Sequence, residues 1–169
     1  MAKRPLRKTN KTVLIVVEGE TEEAFVGYLK QLYYRRGMPL SVGIKNARGH
    51  GPEGVIDKLK SVAQTADFDH RLVVLDADIA LLPAQEKWLR KEKIELIFSS
   101  PAMEATLLAI LGKQAPSATG ACQNELPKQA PGDPTEVRYY EKYFPLPTLE
   151  SMRSKVPVLE GLIAVLSKV

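Results

Sequence analysis

Thr12-Val13-Leu14-Ile15-Val16-Val17-Glu18-Gly19-Glu20-Thr21-Glu22-Glu23 is the stretch of sequence that decides the fold. Its apolar run, rich in β-branched residues, is typical of a strand that helices cover on both faces of a parallel sheet. A glycine turn crowded with carboxylates follows at once. Acids in a first helical turn favour the helix dipole, but Glu18 lies at the strand's end, where open α/β sheets bind their ligands. The stretch therefore predicts a strand, a turn and a helix, with Glu18 facing the crevice.

A second strand signal, Arg71-Leu72-Val73-Val74-Leu75, runs directly into Asp76-Ala77-Asp78. In an extended chain, Asp76 and Asp78 lie on the same side. Two carboxylates at this spacing can share one divalent cation or hold neighbouring ones, because hard cations take several oxygen ligands. An isolated DxD pattern is common in loops, so it is the position after a buried strand that favours a metal site here.

A further strand, Ile94 to Phe98, precedes Ser99-Ser100-Pro101 and an apolar helix predicted from Ala105 to Leu111. The serine before proline indicates a helix start. Glu104 therefore lies near a helix N-terminus, at the same sheet edge as the other strand-end acids. Complementing the helix dipole is the alternative role for Glu104, although the residues around it are apolar and small.

The remaining segments of the first two thirds of the chain alternate between the two periodicities. Helical spacing predicts helices from about Thr21 to Arg36, from Pro52 to Thr65 and from Pro83 to Lys93. Strand alternation predicts a shorter strand within Met38 to Lys45, nearer the sheet edge. The order of elements predicts an α/β fold with a doubly wound, mostly parallel sheet of about four strands. Right-handed crossovers then bring all the strand ends to one edge.

Composition changes from Lys113 to Pro134, where prolines, glycines and polar residues predict a long loop or insertion. Loops of this length are commonly functional lids or mobile segments. A short helix is predicted from Thr135 to Phe144, and a C-terminal helix from Thr148 to Val169. We expect residues 12–112 to form the core and residues 113–169 to pack on it as a helical extension of the same domain.

The N-terminal arm, residues 1–11, carries five basic residues and no acid, whereas the rest of the chain is nearly neutral and the net charge of the whole is +4. The arm is either a flexible, solvated tail or a source of nonspecific phosphate contacts. No apolar stretch approaches the roughly 18 residues of a membrane span. We therefore expect a cytoplasmic protein without membrane insertion. Cys122 is the single cysteine, which excludes an intramolecular disulfide.

The segment Val16 to Glu22, followed by Leu75-Asp76-Ala77-Asp78, resembles the toprim domain, the metal-binding module of topoisomerases, primases and OLD-family nucleases. Residues 99–104, which lead into Leu107-Leu108, are similar to a motif of RloB-like proteins, a compact toprim family associated with bacterial restriction and anti-phage loci. In toprim proteins the strand-end glutamate is assigned acid–base or metal-associated work, and the DxD aspartates hold the metal. The resemblance implies these roles for Glu18, Asp76 and Asp78.

Residues and resemblance together predict a divalent-metal-dependent nuclease that hydrolyses DNA or RNA. The cofactor is expected to be Mg²⁺ or Mn²⁺, because the ligand set holds carboxylates without histidine or thiol. The predicted catalytic residues are Glu18 and Glu22. The predicted metal ligands are Glu18, Asp76, Asp78 and Glu104. The predicted nucleic-acid contacts are Arg48, Arg138 and Lys142.

Two rival functions stay open. A non-catalytic toprim-like module would bind nucleic acid or a partner ATPase and use the same acids for structure or for metal-dependent recognition. A phosphatase is the weaker rival, because doubly wound phosphatases of the aspartate type carry a nucleophilic aspartate where this chain has Glu18.

The basic candidates also have plain alternatives. Arg48 lies in a glycine-rich loop, Asn46 to Pro52, that is either a phosphate contact or a flexible connection without the lysine of a P-loop. The basic outer face of the helix predicted from Pro83 to Lys93 either meets a nucleic-acid backbone or is a solvated face with ion pairs.

Overall fold

The computed structural model of the chain describes residues 10–167. Its sheet has four parallel strands: β1 (Lys11–Val17), β2 (Leu40–Asn46), β3 (His70–Asp76) and β4 (Glu95–Ser99). The helices of the described chain are α1 (Glu20–Tyr33), α2 (Gly51–Ala63), α3 (Pro83–Lys91), α4 (Met103–Ile110), α5 (Thr119–Gln129), α6 (Val137–Tyr143), α7 (Leu146–Met152) and α8 (Pro157–Leu166). The predicted α/β class with a parallel sheet is confirmed.

The strands follow the order β2-β1-β3-β4, and every pairing is parallel. β2 lies at an edge, as its alternating pattern predicts. The chain leaves β1 toward β2 on one side and later returns to β3 on the other side. The carboxyl ends of β1 and β3 therefore flank the point where the winding reverses, which is where open α/β sheets bind ligands.

The two faces of the sheet bury different sets of side chains. On β1, Val13, Ile15 and Val17 belong to a large cluster with α1, α4 and the C-terminal helices. Leu14 and Val16 point the other way, into a smaller cluster with α2 and α3. Helices on both faces explain why residues 13–17 of the strand are all apolar instead of alternating with polar residues.

Residues 113–134 do not form the long loop or lid that their composition predicts. They contain α5, whose buried residues Cys122 and Leu126 lie four positions apart on the helix face that packs against α4. Pro127 lies inside the last turn of this helix. Tertiary packing thus stabilises a helix here despite unfavourable composition, as local propensity is only a weak guide.

Three other boundary predictions are wrong. The helix after β1 begins at Glu20 with Gly19 as N-cap and ends at Tyr33, three residues before the predicted end at Arg36. The helix predicted from Ala105 begins at Met103 after an Ala102 N-cap, so the serine before proline precedes the helix without capping it. The predicted C-terminal helix is two helices, α7 and α8, and Pro157 begins the second of them because proline suits a first helical turn.

The N-terminal arm falls almost wholly outside the described residues, although Lys11 already belongs to β1. Within the described part of the chain, none of the helices combines the length and the apolar character that a membrane span requires.

We predict that Leu126→Ala lowers the free energy of unfolding by about 2–4 kcal/mol, because it removes a side chain buried between α5 and α4. Urea denaturation followed by circular dichroism measures the change. Asn124→Ala, at an exposed position of the same helix, serves as the control. Equal stability of the two variants would mean that α5 does not pack in solution as it does here.

Candidate functional site

Glu18 and Asp76 meet at the reversal point of the sheet. Asp76 is the last residue of β3, and Glu18 directly follows β1. The backbone amide of Asp76 donates a hydrogen bond to Glu18 Oε2 at 3.2 Å. The two acids that the sequence places at neighbouring strand ends are therefore in contact.

Asp76 also fixes the start of α4. Its Oδ1 accepts a hydrogen bond from the Met103 amide at 3.0 Å, at the first residue of that helix. An acceptor in this place satisfies one of the unpaired amides of a helix N-terminus and complements its dipole. Glu104, the next residue of α4, is thereby held at the same edge.

The segment after β3 is bound to the segment after β4 through the backbone. The Ala77 backbone amide donates a hydrogen bond to the Ser99 backbone carbonyl oxygen at 2.8 Å, and the Asp78 backbone amide donates one to the Pro101 backbone carbonyl oxygen at 3.1 Å. The Asp78 side chain is exposed, and its Oδ2 accepts from the Thr119 hydroxyl of α5 at 3.0 Å. The residues of the DxD motif therefore contact different partners.

Glu22 is the most buried of the predicted site acids, at 7% exposure. Its carboxylate folds back over the turn, because a Cβ built on Gly19 would lie 3.0 Å from Glu22 Oε2. Any larger residue at Gly19 would displace this carboxylate. Glu23 instead faces β2, where its carboxylate accepts a hydrogen bond from the side-chain amide of Asn46 at 2.7 Å. The adjacent residues Glu22 and Glu23 therefore have different contacts: Glu22 lies over Gly19, and Glu23 binds Asn46 of β2.

We call Glu18, Glu22, Asp76, Asp78 and Glu104 the carboxylate cluster. Burial raises the pKa of Asp76 to about 8, and the other four negative charges of the cluster add to the rise. Burial also raises the pKa of Glu18 and of Glu22 above their ordinary values. Desolvation is the largest cause in each case, so the protein matrix penalises the ionised forms.

The carboxylate cluster has donor atoms of the type that divalent cations bind, but its side chains are not grouped as a metal site in the described chain. Its donors are carboxylate oxygens, the ligands that Mg²⁺ and Mn²⁺ prefer. In the described chain, no ion pair joins any of the five acids to a lysine or arginine. As the side chains stand, however, no three acidic, histidine or cysteine residues of residues 10–167 are grouped closely enough to hold a metal ion. Coordination would require side-chain rotation, including release of Asp78 from Thr119.

Tyr140 of α6 is a site neighbour that the sequence analysis missed. Its hydroxyl donates to the Pro134 oxygen at 2.6 Å and lies 3.2 Å from the oxygen of Thr21, next to Glu22. Its ring packs on Phe25 of α1, with ring centroids 5.5 Å apart. Burial raises the tyrosine pKa, and the charges of neighbouring acids add to the rise. The C-terminal helices therefore support the wall of the cluster.

The predicted phosphate contacts are exposed and are not joined to the cluster by any hydrogen bond or ion pair of the described residues. Arg138 and Lys142 lie four residues apart on α6, on the face away from Tyr140, and the Lys142 ammonium lies 4.9 Å from the Tyr143 ring centroid. Their predicted role as nucleic-acid contacts stays a prediction.

Arg48 lies in a loop that is bound closely to the end of β1. The Ala47 backbone amide donates a hydrogen bond to the Val17 backbone carbonyl oxygen at 2.9 Å. The Gly49 backbone amide donates one to the Glu18 backbone carbonyl oxygen, also at 2.9 Å. Arg48 and His50 both have positive φ angles, of 59° and 66°, which cost free energy in residues other than glycine. The loop is therefore a constrained neighbour of Glu18 rather than a plain connection.

Comparisons with protein-family models, with curated proteins and with solved structures find no match to this chain. The resemblance to toprim and RloB-like proteins therefore stays a prediction from the sequence motifs. The assignment of a function depends on the carboxylate cluster itself.

We predict that Asp76→Asn stabilises the metal-free protein at about pH 9 by about 1–3 kcal/mol, because the asparagine keeps the acceptor for Met103 and removes the charge. The folded-state pKa of Asp76, about 8, exceeds its ordinary value, so the folded protein holds more protons than the unfolded chain between the two values. Stability should therefore fall as pH rises toward 8 in the wild type, and less steeply in the variant.

Urea denaturation between about pH 5 and pH 9 measures this difference. Asp57→Asn, at an exposed position of α2, is the control and should keep the wild-type slope. Parallel pH profiles for wild type and Asp76→Asn would show that Asp76 is not held in an unfavourable ionised state.

Proposed function

We propose that the protein is a divalent-metal-dependent nuclease of the toprim type that hydrolyses phosphodiester bonds of DNA or RNA with Mg²⁺ or Mn²⁺ as its cofactor. The observation that carries the proposal is the carboxylate cluster at the reversal point of the sheet, where five acids from the ends of β1 and β3 and the starts of α1 and α4 share one edge without an ion pair to lysine or arginine in the described chain. A cation from solution would offset this excess of negative charge.

The proposal divides the work among the acids by their surroundings. Asp76, Asp78 and Glu104 would hold the cation together with Glu18, and the cation would supply charge stabilisation for the phosphate and leaving oxygen. Proton transfer is assigned to Glu18, because it is half-buried at the end of β1 and burial raises its pKa above the ordinary value, which makes the carboxylate a stronger base. Glu22, deeper and folded over Gly19, would position Glu18 and adjust its basicity through its charge.

Nucleic acid is the proposed partner, in the cytoplasm and within an anti-phage or restriction-associated system. Arg48 is the best placed of the predicted phosphate contacts, because its loop is bound to the backbone of Glu18. Arg138 and Lys142 would contact the backbone of the substrate further from the cluster.

A non-catalytic module is the second candidate, and one observation favours it. Asp76 and Asp78 already accept hydrogen bonds from Met103 and Thr119, so both carboxylates have structural roles in the metal-free protein. In this alternative the cluster would organise a surface that binds nucleic acid or a partner ATPase. It predicts binding without turnover, and unchanged binding after Glu18→Gln.

We predict that the purified protein cleaves nucleic acid only when Mg²⁺ or Mn²⁺ is present, and that Asp76→Asn/Asp78→Asn lowers the cleavage rate by about 10³-fold or more, because charge stabilisation at the phosphate is lost. Gel assays on labelled single-stranded and duplex DNA and RNA measure the rate. Asp57→Asn should retain wild-type activity. Cleavage that persists in the double variant would exclude the proposed site.

Metal binding can be measured without activity. We predict that Mn²⁺ raises the melting temperature of the wild type, and more at about pH 8 than at about pH 5, because protons compete with the cation for the carboxylates. The double variant should show no such shift. Differential scanning fluorimetry across pH makes the measurement, and equal shifts in wild type and double variant would place the bound metal outside the cluster.

A further inference from the structure

An open groove of about 410 Å³ lies between β4 and α3, next to the carboxylate cluster. Apolar side chains form most of its wall, and one acid and one base from α3 complete it. The lining residues are Leu81, Glu86, Arg90, Ile94, Leu96 and Phe98.

The groove begins at the edge of the proposed active site. Phe98 pairs with Leu75 in the sheet, and the next pair along the two strands is Ser99 with Asp76. The loop that carries Leu81 follows Asp78 directly. Because side chains alternate between the two faces of a strand, Phe98 faces α3, whereas the Asp76 carboxylate contacts α4 at the carboxyl end of the same sheet.

One exposed apolar side chain, Phe98, lines this groove, and two more lie in the loop that carries Leu81. Of the four large hydrophobic residues exposed in the described chain, Phe98 is on β4, and Ile79 and Leu82 are on the loop between Asp78 and α3. Leu146, on α7, is the fourth. Ile79 reaches back toward the cluster, because a Cβ built on Gly51 would lie 3.3 Å from Ile79 Cδ1 and 4.0 Å from Glu18 Oε1.

The charge next to the groove suits a polyanion. α3 carries Lys87, Arg90 and Lys91 at exposed positions, with Glu86 as the acid among them. An aromatic side chain beside a basic face is the combination that binds single-stranded nucleic acid, where bases stack on the ring and phosphates meet the cations. In a duplex the faces of the bases are not available for such stacking.

We propose that this groove binds a single strand of the nucleic-acid substrate, with a base against Phe98 and Leu81 and the backbone along Arg90 and Lys87. The inference rests on the proposed nuclease function and adds a substrate class to it. The strand would pass around the carboxyl ends of β3 and β4 to bring a phosphodiester to the carboxylate cluster. The basic face of α3 is thereby a phosphate contact, not merely a solvated surface.

The test measures binding and cleavage separately. Fluorescence anisotropy in Ca²⁺ gives the affinity for labelled single-stranded and duplex oligonucleotides of the same sequence, and Mn²⁺ assays give the cleavage rate. Phe98→Ser should weaken single-strand binding by roughly 5- to 100-fold, the range for loss of one stacked base, and Phe98→Trp should restore it. Arg90→Gln should weaken binding and reduce the slope of its salt dependence by about one.

Two controls separate the groove from the catalytic site. Leu146→Ser removes an exposed apolar side chain elsewhere and should leave binding unchanged. Hydrolysis of bis(p-nitrophenyl) phosphate, a phosphodiester without nucleobases, should be unaffected by Leu146→Ser and abolished by Asp76→Asn/Asp78→Asn. Absence of metal-dependent hydrolysis by the wild type would contradict the proposed function. The binding measurements test the groove independently of hydrolysis.

Several outcomes would overturn the inference. Equal affinity for duplex and single strand, or equal binding by Phe98→Ser and Leu146→Ser, would exclude a base-stacking groove. Light scattering that shows a dimeric wild type and a monomeric Phe98→Ser variant would assign the surface to a second copy of the chain. Thermal melts of each variant confirm that the folded protein is compared.

Discussion

Asp76 is the residue on which the geometry of the sheet edge depends. Its backbone amide donates a hydrogen bond to the Glu18 carboxylate, and its own carboxylate accepts one from the backbone amide of Met103, the first residue of α4. A single residue therefore connects the ends of β1 and β3 to the start of a helix. This arrangement sets the position of Glu104 as well, because Glu104 is the next residue of that helix. Burial raises the pKa of the same carboxylate, and the surrounding acids add to the rise. The contact that organises the edge is therefore also the place where negative charge is least stable.

The fold tolerates this charge because the strands that carry it are held from both sides. β1 and β3 are the central strands, and their apolar residues are buried in one cluster or the other. Burial of such side chains contributes about 1.5–3 kcal/mol each, so several of them offset the repulsion among the acids. Tyr140 and Tyr28 add to the support by connecting α6 to α1 through hydroxyl–backbone hydrogen bonds. Unfavourable local charge at a strongly supported edge is typical of functional sites.

The sequence predicts the central sheet and the acidic edge because both are encoded locally. An apolar run followed by an acid suffices to locate β1 with Glu18 and β3 with Asp76. The sequence does not predict α5, whose proline and polar residues are overcome only by packing of Leu126 against α4. Nor does it predict the place of Tyr140, whose hydroxyl lies against the backbone of a residue 119 positions earlier. Contacts between residues so far apart in the sequence depend on how the C-terminal helices pack on the core, and a local sequence pattern does not predict that packing.

The acids of the cluster and the basic side chains of the surface lie apart, which affects how the proposed nuclease would bind its substrate. A phosphodiester backbone is repelled by the carboxylate cluster in the absence of a cation, so affinity must come from surfaces beyond the cluster. The constrained loop of Arg48 adjoins Glu18, and the groove between β4 and α3 is lined by residues outside the cluster. Binding energy gained at such remote surfaces can hold the reacting phosphate against the repulsion of the acids. The cluster would then act on the phosphate without having to attract it.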